Sequence, residues 1–386
     1  VHILIVALHR PVKPTGVCRH AVNLAQCLAD SHAVSRVTVV IGAWQKAYFS
    51  TAFKLDSTKI QWVTIPIKNS SLSRNAWFML GLPQLVRSLA PDIVHLSFPL
   101  PFLRQLFPCP IVTTIHDLYP YECPENFGSQ VLFNRLFLKQ SIKNSDGLAC
   151  VSQSTLDKLT VYCPHQPPHQ KTAVVYNYVD FSQIDPRPLS QHAIDFPYLL
   201  CVAQHRKNKN LDLLIRAYDR LLNTHQFAAE TKLVLVGDSG PETENLLELI
   251  GTHGLQDRVL LLSSLDDREL CWLYQQCLAF VIPSSTEGFC LPLVEALYLS
   301  CRVVCSDIPI FREVAVSHST FFSLQGDAVQ HLAEAIVTAL RQDNPSPPDP
   351  DARMHFSRLN ATRQYLMLYQ AIAPQLSQPC YLEQRL

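Results

Sequence analysis

Charge is scarce in this chain: Asp, Glu, Lys and Arg make up 17% of its 386 residues, and 32 basic side chains balance 32 acidic ones. Broad contact with a phosphate backbone requires a surplus of positive surface, so the balance argues against nucleic acid as a partner. The 13 cysteines include no CxxC pair, and their scatter fits neither a disulfide framework nor a zinc site. Cys201, Cys301 and Cys305 sit in apolar runs, where cysteine acts as a small buried hydrophobe. The expectation is a reduced, cytoplasmic protein. No uninterrupted apolar run reaches the roughly eighteen residues that suggest a transmembrane helix. The opening "VHILIVALHR" is apolar but short, and a polar, turn-rich stretch follows, so it reads as a first buried strand rather than a signal peptide. Internal repeats are absent as well.

What is present is a rhythm. Short apolar runs alternate with helical periodicity, the pattern of βα units around parallel sheets. The first half offers strands at 2–7, 36–41, 61–65, 92–96, 110–115, 147–151 and 172–176, with helices at 17–30, 76–89, 129–144 and 153–161. After a proline-bearing connector the rhythm restarts with strands at 197–203, 231–237, 258–262, 278–283 and 301–306. The stretch "QDNPSPPDPDA", 342–352, breaks any helix, and helical spacing resumes beyond it. A chain this long exceeds one ordinary core. The expected organisation is a domain over 1–180, a connector over 181–196, a second α/β domain over 197–350, and a helix and tail over 351–386. The natural binding site of such a pair is the cleft outside the carboxyl ends of both sheets. Charge is uneven between the halves: residues 1–180 carry 16 basic against 9 acidic side chains, the remainder 16 against 23.

Chemistry concentrates in a few loops. In "PSSTEGFCLPLVEAL", 283–297, Pro292 belongs in a first helical turn, so a helix begins near Leu291. Glu287 then lies in the strand-to-helix loop and Glu295 on the helix, off any shared face. Gly288 permits the bend, and amides at the helix start suit an anionic oxygen. Each carboxylate can take sugar hydroxyls; the plainer alternative is a solvated loop glutamate and one complementing the helix dipole. In "CVAQHRKNKNLDLLIRAY", Arg206, Lys207 and Lys209 cluster where a strand gives way to a helix, in position to neutralise a diphosphate, unless they are solvated loop charges. "RPVKPTGVCRH" sets Gly16 in a loop that precedes a helix bearing Arg19. "TTIHDLYPYECPENFG" puts His116 and Asp117 just past a buried strand, followed by Tyr119, Tyr121 and Glu122, with no metal-ligand cluster nearby.

The segment "PSSTEGFCLPLVEALYLSCRVVCSDIPIFREV" resembles the signature of the family-4 retaining glycosyltransferases of group 1 type: Glu, seven residues, Glu, after Pro-Ser. The resemblance extends over nearly the whole chain. It implies the GT-B fold, two Rossmann-like α/β/α domains facing across a cleft, with a C-terminal helix crossing back to the first. It implies that Glu287 reads donor-sugar hydroxyls, that Glu295 holds the nucleotide ribose, and that the amides of Phe289, Cys290 and Leu291 approach the diphosphate or the sugar. Lys209 matches the family's phosphate-binding lysine. Gln204 replaces its arginine, for which Arg206 is the candidate substitute. Gly237 and Asp238 stand where the base stacks, and the backbone of Ser264 and Leu265 where it is cradled. His116 is implied near the donor sugar or the leaving site. Gly16 is implied to line the cleft, Arg19 to contact it or support its packing, and Asp117, Tyr119, Tyr121 and Glu122 to serve the acceptor side. The chain departs from the pattern at Thr15, Ala203, Cys290 and Ser300, where Gly is common, at Arg302, where Pro is common, and at Tyr178.

The activity expected is metal-independent transfer of a hexose, mannose or glucose type, from a GDP- or UDP-sugar co-substrate to a glycan, lipid-linked or small-molecule acceptor, with no cofactor. The alternative is a same-fold sugar-nucleotide binder, epimerase or phosphorylase. Trp77, Phe78, Met79 and Leu80, with the apolar stretch 96–108, form either a core helix and its flank or an amphipathic patch for peripheral contact with the inner face of the cytoplasmic membrane.

Overall fold

Thirteen strands form among the described residues; nine are short runs buried at all or all but one position, and the four at the sheet edges are only partly buried. The computed structural model describes residues 1–10, 15–53, 57–226, 228, 230–315, 319–342 and 354–374; the proline-rich break expected at 342–352 lies outside them except for Gln342. Twelve strands fall within two residues of the expected bounds. The thirteenth, Ser319–Phe322, was not expected from the sequence. It is an edge strand with only one fully buried residue and lacks the continuous apolar run of its neighbours.

The chain divides into two compact units, one of Val1–Tyr178 with the segment from His355 onward, the other running from Val179 to Met354. The first holds β1 (His2–Val6), β2 (Arg36–Gly42), β3 (Ile60–Ile65), β4 (Ile93–Leu96), β5 (Ile111–Ile115), β6 (Gly147–Cys150) and β7 (Lys171–Val174) in the spatial order β3-β2-β1-β4-β5-β6-β7. The second holds β8 (Tyr198–Val202), β9 (Lys232–Val236), β10 (Val259–Leu262), β11 (Ala279–Ile282), β12 (Val303–Ser306) and β13 (Ser319–Phe322) in the order β10-β9-β8-β11-β12-β13. All ladders are parallel. Parallel sheets need cover on both faces, which is why the strands read as unbroken Val/Ile/Leu runs. In each unit the order reverses once, between β1 and β4 and between β8 and β11. Such a switch point opens a crevice at the carboxyl ends of the strands.

The helix Arg358–Ile372 belongs to the first unit. Tyr365, Leu366, Leu368 and Tyr369 join the core that Ile3, Ile5, Val37, Val39 and Ile93 build from the sheet. Its start is pinned by Arg358 to Asp30 at 3.0 Å and by Thr362, whose hydroxyl donates to the Cys27 carbonyl at 3.2 Å. Tyr369 shares a 2.6 Å hydrogen bond with Nδ1 of the fully buried His95, whose other nitrogen reaches Thr114 at 2.7 Å.

The core alternative holds for residues 76–108. Phe78, Leu82 and Val86 are buried with Leu100, Phe102 and Phe107, leaving Leu80 and Leu103 exposed. Arg104 pairs with Asp146 at 2.8 Å. A five-residue π-turn, Trp77–Gly81, interrupts the helical stretch between Ser71–Ala76 and Leu82–Leu89. The amphipathic patch considered there is mostly core.

Replacing Tyr369 with Phe strands a ring nitrogen of His95 in the core. The expected cost is about 1–3 kcal/mol, read as a lower denaturation midpoint of the first unit; an unchanged midpoint would show that the helix does not lean on this contact.

Candidate functional site

The loop after β8 and the loop after β11 leave the sheet at the second unit's switch point, and side chains sew them together. Asn208 donates through Nδ2 to the Thr286 carbonyl at 3.2 Å, and its own carbonyl accepts the Ser285 N–H at 2.9 Å. Asn210, left-handed at φ 49°, donates to the Pro283 carbonyl at 2.9 Å. Asparagine tolerates that conformation better than most residues. Ser306, at the end of β12, donates to the Ser284 carbonyl.

Between these stitches lies an ion pair. Lys209 Nζ stands 2.5 Å from Glu287 Oε1, and the side chains are only 16% and 5% exposed. Ser284 donates to the same carboxylate oxygen at 2.8 Å. Burial works to lower the Lys209 pKa, but the Glu287 carboxylate and its hydrogen bond, with a contribution from Cys290, carry it above the ordinary lysine value. Cys201, behind the pair, is pushed up to about 12 by burial. The arrangement sets a desolvated ammonium beside a desolvated carboxylate, the first suited to a phosphate oxygen and the second to hydroxyl donors.

Glu295 is held separately. It lies on the helix Leu291–Tyr298, where Oε2 accepts a 2.9 Å hydrogen bond from the buried Tyr274, whose pKa is driven well above the ordinary tyrosine value by burial and then by that carboxylate. The two glutamates therefore have different partners. The helix begins where expected, and no side chain caps it. Its N-cap, Cys290, is left-handed at φ 71°, and Ser300 beyond its end is left-handed at φ 59°. The Ser300 N–H reaches the Leu297 carbonyl at 3.1 Å and the Cys301 N–H reaches that of Ala296 at 2.9 Å, the Schellman closure that favours glycine.

Other expected residues scatter. Arg206 is exposed and lines a hollow with Lys207, Asn210, Leu211, Asp212, Glu242 and Leu246, while Lys209 faces Glu287. Gly237 has a packing reason: a Cβ there would lie 1.9 Å from the Ala203 carbonyl oxygen. Ser264, left-handed and exposed, and Leu265 precede the helix Asp267–Gln276, which starts on a capping box of Asp266 and Glu269. Phe289 is buried.

In the first unit, Thr15 caps the helix Gly16–Asp30 through its hydroxyl, and the space beside Gly16 is open. Arg19 lies over the Phe53 ring at 5.6 Å. His116 follows β5, hydrogen bonded through Nε2 to the Ser97 carbonyl at 2.7 Å, with the His20 ring edge-on at 4.6 Å. His20 is fixed by Asn177 at 2.8 Å and Thr114 at 3.2 Å. Burial holds His9 and His116 down to about 4, His95 to about 3, and His20 well below the ordinary histidine value. Asp117 accepts the Tyr119 N–H at 3.1 Å, Glu122 pairs with Lys158 at 2.6 Å, and the Tyr121 ring lies under Arg135 at 4.9 Å. Among the described residues no cluster of His, Cys, Asp and Glu is disposed to hold a metal ion. Sequence reasoning assigned no role to Ser284, Asn208, Asn210 or Tyr274, although Ser284 lies in the Pro-Ser of the signature and Asn210 follows the family's lysine. The "KNKN" run before a helix was a readable signal for the asparagines, whereas Tyr274 carries none.

Two family models match. Residues 187–355 match "Glycosyl transferases group 1" and residues 14–183 match "Glycosyltransferase Family 4". The chain is 28% identical over 208 residues to the O-antigen chain mannosyltransferase RfbU of Salmonella typhimurium, covering 54% of this chain and 55% of that protein. It is 33% identical over 182 residues, 47% of this chain and 46% of the other, to a Campylobacter jejuni N-acetylgalactosamine-N,N'-diacetylbacillosaminyl-diphospho-undecaprenol 4-alpha-N-acetylgalactosaminyltransferase. It thus spans about half the length of these curated relatives. The crystal structure of Anabaena HepE in complex with UDP and glucose shares the fold, with a TM-score of 0.64, 19% identity, and coverage of 97% of this chain and 98% of that one.

Lys209→Met leaves the buried Glu287 carboxylate without its counter-charge, for an expected loss of about 3–5 kcal/mol. Adding Glu287→Gln should recover part of it in denaturant melts, and strict additivity of the two losses would dissolve the pair. The histidines give a pH prediction. Their folded pKa values are depressed, so the stability they confer is full above the unfolded value of about 6.5 and is lost as pH falls toward about 4. Each site contributes a slope of up to about 1.4 kcal/mol per pH unit. Urea melts across this range test it, and a flat profile contradicts it.

Proposed function

The chain belongs to the family-4, group 1 glycosyltransferases, and from that premise we propose that it moves a hexose of mannose or glucose type from a GDP- or UDP-linked donor to an acceptor hydroxyl. The observation that carries this reading is the buried Lys209–Glu287 pair at a switch point, where a phosphate and a sugar can each be met by one charged group. The mannosyltransferase relative favours a hexose, the HepE complex a nucleoside diphosphate, and the diphospho-undecaprenol in the Campylobacter relative's name a lipid-linked acceptor over a small molecule.

In this reading Lys209 binds the diphosphate, with Arg206 joining it by rotamer change, and amides from Phe289 to Leu291 add dipoles. Glu287 orients the sugar through its hydroxyls, and Glu295, braced by Tyr274, takes the ribose. The base lies along the backbone of Ser264 and Leu265, near Gly237. The C1–oxygen bond to the diphosphate breaks with its electron pair passing to the phosphate oxygen. The acceptor oxygen bonds C1 on the same face, and its proton passes to the departing phosphate. Configuration is retained, and the lysine does the work a divalent cation would do elsewhere. His116, kept neutral, and the loop from Asp117 to Glu122 are assigned to the first unit's part, with Gly16 and Arg19.

The competing reading is a sugar-nucleotide binder, epimerase or phosphorylase of the same fold. Donors such as GDP-mannose and UDP-glucose should raise the melting temperature of the protein, since a ligand bound only to the native state stabilises it. Release of nucleoside diphosphate should require an acceptor and survive chelation by EDTA. Glu287→Gln should lower turnover by about a hundredfold while nucleoside diphosphate binding persists. Tyr274→Phe should weaken that binding by up to about tenfold. Donor binding with no acceptor-dependent release across glycan and lipid-linked acceptors would favour the competing reading.

A further inference from the structure

Two thiols of the second unit converge on one backbone oxygen. The helix Asp267–Gln276 ends at Cys277, and Cys301 stands just before β12. Both sulfurs reach the Tyr274 carbonyl, Cys277 Sγ at 3.2 Å and Cys301 Sγ at 3.1 Å. The Leu278 N–H, which would continue the helical ladder to that carbonyl, turns instead to the Tyr198 carbonyl at 2.8 Å. The two S–H groups supply the donors that a helix end otherwise lacks. The backbones also run side by side: β11 and β12 pair at Phe280 and Val303, and the Phe280 N–H reaches the Arg302 carbonyl at 2.8 Å. Neighbouring strands lie about 4.8 Å apart, and a disulfide joins Cα atoms about 4.4–6.8 Å apart, so the pair is within bridging reach. Both are free thiols, and of the twelve cysteines among the described residues Cys277 alone is not buried. An oxidant in solvent therefore meets it first. Cys301 holds its proton, its pKa carried well above the ordinary thiol value by the hydrogen bond with Cys277 and then by burial.

We propose that Cys277 and Cys301 are a modification site, closed to a disulfide by a peroxide and reopened by a thiol reductant. The Cys277 thiolate attacks one peroxide oxygen, the O–O bond breaks, and the other oxygen leaves as water with the thiol's proton. The product is a sulfenic acid on Cys277. The Cys301 sulfur then attacks that of Cys277, the S–O bond breaks, and a second water leaves with the Cys301 proton. Two thiols lose two electrons, and one hydrogen peroxide becomes two waters. The disulfide has no S–H, so the Tyr274 carbonyl loses both donors. A buried carbonyl left without a donor is costly, and the last helical turn shifts to relieve it. The hydroxyl of the same Tyr274 braces Glu295 at 2.9 Å, so closing the bond loosens the carboxylate assigned to the ribose. Only this last consequence rests on the transferase reading.

Peptide mapping of the unaltered protein tests the site without any ligand. After a slight excess of hydrogen peroxide and alkylation of the remaining thiols, mass spectrometry should find Cys277 linked to Cys301, and dithiothreitol should separate them. Amides of residues 273–277 should exchange with solvent faster in the linked protein than in the reduced one. UDP or GDP should bind the linked protein up to about tenfold more weakly, and reduction should restore the affinity. Cys277→Ala and Cys301→Ala should each form no such link and keep their affinity under peroxide. A Cys277 that passes to sulfinic acid while Cys301 stays free, or one linked to a different cysteine, overturns the proposal. Amide exchange that the link leaves unchanged overturns its coupling to Tyr274. If neither nucleotide binds the reduced protein, the donor reading fails, while the mapped link and the exchange still decide this one.

Discussion

The Lys209–Glu287 ion pair is the interaction around which the candidate site of the second unit is organised. Removing two charges from water is expensive, and the mutual attraction repays the cost only where geometry and further hydrogen bonds are good. Here the repayment comes from Ser284 on the carboxylate and from Asn208 and Asn210, which lock the two loops into register. A buried pair of apolar residues could give comparable stability. What an apolar pair could not give is an ammonium and a carboxylate already stripped of water and fixed in place, so that a ligand with a phosphate and hydroxyls finds its partners preorganised.

The first unit uses the same topology differently. At its switch point the polar groups are neutral: His95 is strung between Tyr369 and Thr114, His20 between Thr114 and Asn177, and His116 rests on the Ser97 carbonyl. Sharing Thr114, the first two rings connect the C-terminal helix, two strands, the helix Gly16–Asp30 and the last residues of the unit before Val179. Such a satisfied network orders a core without net charge. Each imidazole fills a place where a charged ring would be destabilising, and that burial is the main cause of the depressed pKa values.

The fold was legible because parallel strands buried on both faces must be continuous apolar runs, and runs such as "HILIV" and "KLVLV" admit few other readings at that length. The strand Ser319–Phe322 escaped notice because half of its four residues are polar, so it offers no apolar run. In the site, Glu287, Lys209 and the helix start at Leu291 could be placed from a loop, a basic cluster and a proline. Tyr274 could not: it lies mid-helix in an unremarkable sequence and meets Glu295 only through tertiary packing. The apolar residues of 76–89 show the same limit in reverse, since hydrophobicity alone does not distinguish a face turned inward from one turned outward. Exposed apolar residues, Leu132, Phe133 and Leu136, lie instead on Val131–Asn144, where buried Leu138 and Ile142 share the helix with them.

The departures from the family pattern have physical readings of different kinds. Thr15 replaces a glycine at an extended backbone position, φ −130°, and its hydroxyl caps a helix, so the exchange gains a hydrogen bond and strains nothing. Cys290 and Ser300 replace glycines at positions that are left-handed, and there a side chain costs about 1–2 kcal/mol each. Both flank the helix that carries Glu295. Cys290 is buried, and burial first and then the Glu287 carboxylate raise its pKa well above the ordinary thiol value. A glycine there would relax the backbone and remove a buried side chain near the charged pair. The cysteine therefore accepts backbone strain in exchange for a buried apolar group near the charged pair, where it keeps water away.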